Sequence, residues 1–403
     1  MRKISILLIS LLAFSATAFI ACSDDDLGPS IFDTKEKPLD RTVFTFPLDT
    51  FVKANFLEPY NLKFIYKLPD ISSDLQKNLI PASYENSVKL AVLCKYLWYD
   101  VYLKHAGIDF LKSYSPRILL LTGSPSVNAS SHTETLGTAE GGLKIYLYKV
   151  NTLNENDVDH LNYYFFHTMH HEFAHILDQT HSRPQAFNLL SNGKYDPQSW
   201  GEQHDSVSVG KGFITPYASS AAREDWVEVM SSYITNDEKE WARKIGAAAY
   251  EWESIDLVNV DSINRLLARG GDPDTIGYVQ VISSSSIKLV RKVIARNANG
   301  YAALKDGKPE FLDKDGINGQ TVILEKLEMV REWLQKEFNT NLEDLRREVQ
   351  SRTFLTNPDG SFVKKDGQFV NRLVSPLPSN PQQTLIDSLV NEVNKFKGLI
   401  IKK

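Results

Sequence analysis

The segment from Val158 to Gln179 constrains this chain more than any other. Leu161, Phe165, Met169, Phe173 and Ile176 recur at steps of three or four, the period of a helix with one buried face. His167, His171 and His175 recur at steps of four on a different face of the same helix. Side chains four apart on a helix lie one above another. The fold must therefore bury one side of this helix and hold imidazoles on another. Six of the nine histidines fall between His160 and His181, so titratable chemistry is concentrated in this one element.

Within the helix stands His171-Glu172-Phe173-Ala174-His175. Two neutral imidazoles four residues apart can bind one zinc ion from one side. Glu172 is one residue on, turned by about 100°, so its carboxylate lies beside the metal rather than on it. There it can take a proton from water that zinc acidifies toward a pKa of ~7. A catalytic zinc also needs a third protein ligand and an open position, and two residues compete for the role. His181 completes His171-Glu172-x-x-His175-x-x-Asp178-x-x-His181, a metzincin-type spacing, but Asp178 stands where that class has the glycine that turns the chain. Glu224 opens Glu224-Asp225-Trp226-Val227-Glu228 on a helix expected over residues 221–235, with Ser220 placed to cap it. Tyr217 lies shortly before and can donate to an oxyanion. His167 and His170 read as packed or solvated histidines, His167 with the option of touching substrate.

Residues 1–21 carry Arg2 and Lys3, an apolar run from Ile4 to Ile20, and Ala21 before Cys22. That is the pattern of a secretory signal, and it is short and poorly flanked for a spanning helix. Phe19-Ile20-Ala21-Cys22 resembles the lipobox of bacterial lipoproteins, with Phe19 in place of the usual leucine. The resemblance implies acylation of Cys22 by several chains, which anchors stably where one chain would not. Ser23-Asp24-Asp25-Asp26 is similar to the export tag of some surface lipoproteins, and it also reads as a solvated linker. Residues 22–40 form an acidic, flexible tether with Pro29 and Pro38. Losing Arg2 and Lys3 with the leader takes the net charge from -5 to -7, which gives no footprint for nucleic acid. Cys22 and Cys94 are the only cysteines, so no disulfide framework underlies the fold. Cys94 reads as a small buried hydrophobe, and a metal site must draw on His, Asp and Glu.

Upstream of the motif, residues 84–103 have a helical period, 116–122 read as a buried strand, and 143–148 as a second strand at an edge. Downstream, 238–253 read as a helix, 278–282 and 287–294 as strands, 320–352 as two helices, and 384–396 as a last short helix. Asp306-Gly307 and Asp366-Gly367 are hairpin-turn pairs. No internal repeat is evident.

A helix bearing Glu-x-x-x-Glu after HExxH resembles the gluzincin arrangement. Carried over to this chain, the resemblance implies Glu224 as third ligand and Glu228 as the acid that orients a ligand histidine from behind. The same two segments are similar to the lethal-factor and Mlc-titration-factor peptidases. The lipobox, the run His170 to Gln179, the phrase Gly212-Phe213-Ile214-Thr215-Pro216-Tyr217-Ala218 and the Glu224 helix together resemble the zinc-binding metallopeptidase lipoproteins. These are substrate-import-associated zinc metallohydrolases of the outer membrane. The likeness spans residues 22–250, with a further match near 320–352.

It implies an α+β, zincin-like fold, with a small sheet near 116–148 above the His171–His175 helix and the Glu224 helix crossing below. It also implies a zinc cofactor, a peptide or protein substrate, an outer-membrane lipoprotein held by lipid on Cys22, and association with an import complex. The domains expected are a zincin-like unit over 41–255, an insertion over 256–318 and a helical region over 319–403. The competing expectation is a non-catalytic surface lipoprotein that binds nutrient or a partner through a vestigial zinc site. Glu172 argues against it, because a structural site needs no base.

Overall fold

A small sheet frames the motif helix. The computed structural model describes residues 38–68, 79–127, 134–135, 137–140, 144–257, 278–283, 286–298 and 302–401. The leader, Cys22 and most of the tether lie outside these residues, as do residues 258–277. The sheet holds β1 (Lys63–Ile65), β2 (Ile118–Leu121), β3 (Gly137–Glu140) and β4 (Lys144–Leu147), in the order β1-β2-β4-β3. β1, β2 and β4 run parallel, and β3 is antiparallel to β4. Leu119, Leu121, Ile145 and Leu147 are fully buried, and Leu120 on the other face of β2 is buried too, as befits a central strand covered on both faces. The expected edge strand over 143–148 is therefore corrected. β4 is paired on both sides, and β3 forms the edge, with Gly137 opposite Leu147 and Glu140 opposite Lys144. Gly137-Thr138-Ala139-Glu140 has no apolar alternation, so nothing in the sequence marked it as a strand.

Three helices build the centre. α1 runs without a break through Tyr84–Cys94, Lys95–Tyr99 and Asp100–His105. α2 runs through Val158–Leu161, a π-turn at Asn162–Phe166, and His167–Thr180. Asp157 caps α2, its side chain accepting from the His160 amide. The apolar stripe of α2 is buried as expected, and Phe173 meets the rings of Trp98, Tyr102 and Phe110 at 5.7, 5.0 and 5.8 Å between centroids. Burial of each such side chain contributes about 1.5–3 kcal/mol, which fixes the helix and its histidines in place. Cys94 is fully buried, with Sγ 3.6 Å from Met169 Sδ.

α3 (Ala222–Thr235) packs across α2. Its N-cap is Ala221 in extended conformation, with no side-chain cap. Ser220 is thus not the capping residue; it belongs to the preceding 3-10 turn, Tyr217–Ser220. α4 (Glu238–Ala247) ends six residues earlier than expected, because Trp252–Leu257 leaves as β5. β5 joins β6 (Tyr278–Ser283) and β7 (Ser286–Lys292) in an antiparallel sheet ordered β5-β7-β6. α5 (Gly319–Phe338), α6 (Leu342–Thr353) and α7 (Leu385–Asn394) follow. Asn318, Asn341 and Thr384 cap them through their side chains. α5 buries Ile323, Leu327, Val330 and Leu334 against the same core that holds α2 and α3. Thr42–Lys403 accordingly form one compact unit. Among the described residues, no helix is long and apolar enough to cross a membrane.

The chain does carry an internal repeat. The described residues of 293–312 and the residues 353–372 share one pattern of backbone pairing, sixty residues apart. Ala295 N donates to Glu310 O and Ala303 N to Ala295 O; Leu355 N donates to Val370 O and Val363 N to Leu355 O. The bridges match as well: Ile294 with Phe311 and Arg296 with Ala302, then Phe354 with Asn371 and Thr356 with Phe362. Both tips are Asp-Gly with positive φ, 52° and 76° at Asp306-Gly307, 53° and 77° at Asp366-Gly367, as a type I′ turn requires. The copies share Asn297/Asn357, Gly300/Gly360 and Lys305-Asp306-Gly307/Lys365-Asp366-Gly367. With five identities in twenty positions, the repeat is plainest in the backbone pairing.

Candidate metal centre

α3 is buried along nearly its whole length, yet it carries Glu224, Asp225 and Glu228. Buried carboxylates persist only when they are paired or hydrogen-bonded, and two of these three find their partners on α2. Glu224 Oε2 lies 3.0 Å from His175 Nε2 and 3.3 Å from His171 Nε2, and the two Nε2 atoms are 3.2 Å apart. Zinc bonded tetrahedrally at about 2.0–2.1 Å separates its ligand atoms by about 3.3–3.4 Å. The three atoms thus form a triangle of the size of one face of that tetrahedron. Glu172 is 7% exposed, Glu224 4% and Glu228 3%. Three carboxylates buried around two imidazoles call for a cation, so the donor set fits the metal that the motif implies.

Glu228 stands behind the triangle. Its Oε1 is 2.7 Å from His171 Nδ1 and 2.8 Å from His167 Nε2, and its Oε2 accepts from Thr215 Oγ1 at 2.5 Å. A carboxylate on Nδ1 fixes the tautomer that leaves Nε2 free as a ligand atom. The donor atoms of His167, His171 and Glu228, like those of His171, Glu172 and His175, lie within 4.8 Å of one another. In the first group Glu228 Oε1 already sits at hydrogen-bond distance from both rings.

The electrostatics follow from burial and these contacts. Burial works to raise the Glu224 carboxyl, but hydrogen bonds with His171 and His175 outweigh it and hold it far below the ordinary carboxylate range. Burial likewise opposes charge on Glu228, and His167 and His171 hold it well down. Burial opposes the charged form of His171, and Glu224 and Glu228 overcome it, pushing the imidazole up to about 10. Glu172 is raised by burial, a push that His171 and His175 offset only in part. Its carboxylate therefore binds protons more readily than a free one. Tyr217 is raised by burial and by Glu224, Glu228 and Glu172, so its phenol keeps its proton as a donor should.

Tyr217 is 37% exposed, its ring 5.8 Å from that of His171 and 4.8 Å from that of Trp200. His181 is elsewhere. α2 continues to Thr180 because Asp178 turns to Arg183, accepting from its backbone and side chain at 2.9 and 2.5 Å. His181 then points to Glu337 and Tyr114, at 3.1 and 3.2 Å. His170 is buried against Tyr102, Nδ1 to phenol 3.1 Å. Two neighbours escaped the sequence reading. Thr215 lies inside the Gly212–Ala218 phrase, but a hydroxyl there carried no signal of its own. Arg223 donates from Nε to Glu224 Oε1 at 2.8 Å while its side chain is 72% exposed.

Residues 42–343 match the family described as "Putative zinc-binding metallo-peptidase". The chain is also similar to a solved structure, the crystal structure of a putative zinc-binding metallo-peptidase from Bacteroides caccae ATCC 43185. The two share 27% sequence identity at a TM-score of 0.53, covering 76% of this chain and 91% of that one. No curated protein matches. The solved structure and the donor cluster bear out the α+β, zincin-like fold that the motif implied. With a match over most of its length, this chain belongs to the zinc-binding metallo-peptidase family so described.

Proposed function

We propose that this chain is a zinc-dependent peptidase in which His171, His175 and Glu224 hold the metal and Glu172 is the general base. The observation that carries the reading is the triangle of His171 Nε2, His175 Nε2 and Glu224 Oε2, 3.0–3.3 Å on a side, with Glu228 on His171 Nδ1. When bound, zinc supplies a Lewis acid that polarises the scissile carbonyl and acidifies water. Glu172, buried and raised, takes the proton of the attacking water and passes it to the leaving amine. Tyr217 donates to the oxygen on which charge develops. Glu228, His167 and Thr215 keep the His171 ring in place. Peptide or protein is the substrate class that the family implies, and β3, as the edge strand, is the element along which an extended peptide can add.

The test is zinc content and cleavage together. Glu224→Ala should lose zinc, whereas His181→Ala and Glu172→Ala keep it. Zinc retained by Glu224→Ala and lost from His181→Ala would reverse the ligand assignment. Wild-type protein that holds zinc but cleaves nothing in a varied peptide library would favour a binding lipoprotein. Anchoring through acylated Cys22, residence in the outer membrane and attachment to an import complex belong to the same proposal. They rest on Phe19-Ile20-Ala21-Cys22 and the family resemblance. Labelling with a fatty-acid analogue should mark wild type and not Cys22→Ser.

A further inference from the structure

A fully buried ammonium sits behind the site. Lys326, on α5, has no exposed surface. It donates to Asp225 Oδ2 at 2.6 Å and to Gly212 O at 2.7 Å. The Phe213 ring lies 4.5 Å from its Nζ, and Tyr195 donates to the same Asp225 oxygen at 3.0 Å. An ion pair buried this completely is a poor source of stability, since desolvation can exceed the Coulombic gain. What it fixes is more telling. Asp225 follows Glu224 in the first turn of α3. Gly212 opens the segment that brings Thr215 to Glu228 and Tyr217 to His171. α5 touches that turn directly: Gly212 has φ +86°, and a Cβ there would fall 2.6 Å from Val322 Cγ1.

We propose that Lys326 is a positioning residue for the metal centre. One ammonium sets the spacing between the Glu224 end of α3 and the Gly212–Ala218 segment, so the site is complete only with α5 docked. The inference rests on His171, His175 and Glu224 as the zinc ligands.

Two double variants of the full chain separate positioning from mere folding. Lys326→Met with Asp225→Leu removes charge and hydrogen bonds while keeping the length of one side chain and the branching of the other. Lys326→Gln with Asp225→Asn removes charge but keeps a donor and an acceptor. Zinc Kd is read by competition with a chromophoric chelator, and Tm on the metal-free proteins. The Met/Leu pair should melt close to wild type, as replaced buried ion pairs often do, yet bind zinc about tenfold more weakly, as supporting residues of metal sites do. The Gln/Asn pair, which keeps a donor and an acceptor but loses the ammonium, should bind zinc more weakly than wild type and more tightly than the Met/Leu pair. A folded Met/Leu protein with unchanged zinc affinity overturns the inference. If that protein does not fold, a wild-type Kd in the folded Gln/Asn protein overturns it. Wild-type zinc binding that His171→Ala leaves intact would instead overturn the ligand assignment, and this inference with it.

Discussion

Glu228 receives hydrogen bonds from three residues, two of them histidines of α2. Glu228→Gln keeps the shape but loses the charge that orients His171, so zinc affinity should fall about 10–100-fold, read by chelator competition. Glu172→Gln leaves every ligand in place; it should keep its zinc and lose about 10²–10⁴ in kcat, measured on any peptide that wild type cleaves. At this scale the sequence was most legible where chemistry follows helical spacing: His171, Glu172 and His175 are three residues within five, little more than one turn. Glu224 needed the gluzincin resemblance, because a separation of 49 residues from His175 carries no geometry. His181 shows the opposite hazard. Its spacing suits a ligand, but that spacing presumes a turn at position 178, and Asp178 holds Arg183 instead. Lys326 left a trace that went unread, a cation between Ile323 and Leu327 on an otherwise apolar stripe.

At the scale of elements, the apolar face of α2 is what the sequence made plain, and it should dominate local stability. Phe173→Ala removes a ring packed on three others, and should cost about 3–5 kcal/mol by denaturant unfolding, with zinc weakened as the helix loosens. Elements whose pairing decides their state were harder to see. β3 is polar and short, and becomes a strand only because β4 offers it a partner. Residues 248–253 have helical periodicity, yet Trp252–Leu257 pairs with β7, and tertiary pairing overrides local preference.

Across the whole molecule, the C-terminal helices close on the first. Glu348 on α6 accepts from Lys104 at 2.6 Å and from Arg352 at 2.7 Å. Its partial burial opposes charge, but these two cations lower its pKa from 4.5 to about 2. A carboxyl depressed on folding stabilises the protein above its unfolded pKa, and that stabilisation fades as pH falls through the folded value. Tm should therefore drop between about pH 4.5 and pH 2 in wild type. Glu348→Gln should melt lower at neutral pH, with the gap closing toward pH 2.

The repeated pairing pattern supplies something seldom found inside one chain, an experiment with its own control. Gly307 and Gly367 have the same φ within a degree, and neither has an atom within 4 Å of where a Cβ would stand. Alanine at either position meets the same left-handed penalty, about 1 kcal/mol. Any difference in melting between the two single variants then reports the neighbourhood alone, β7 and its sheet on one side, α6 on the other.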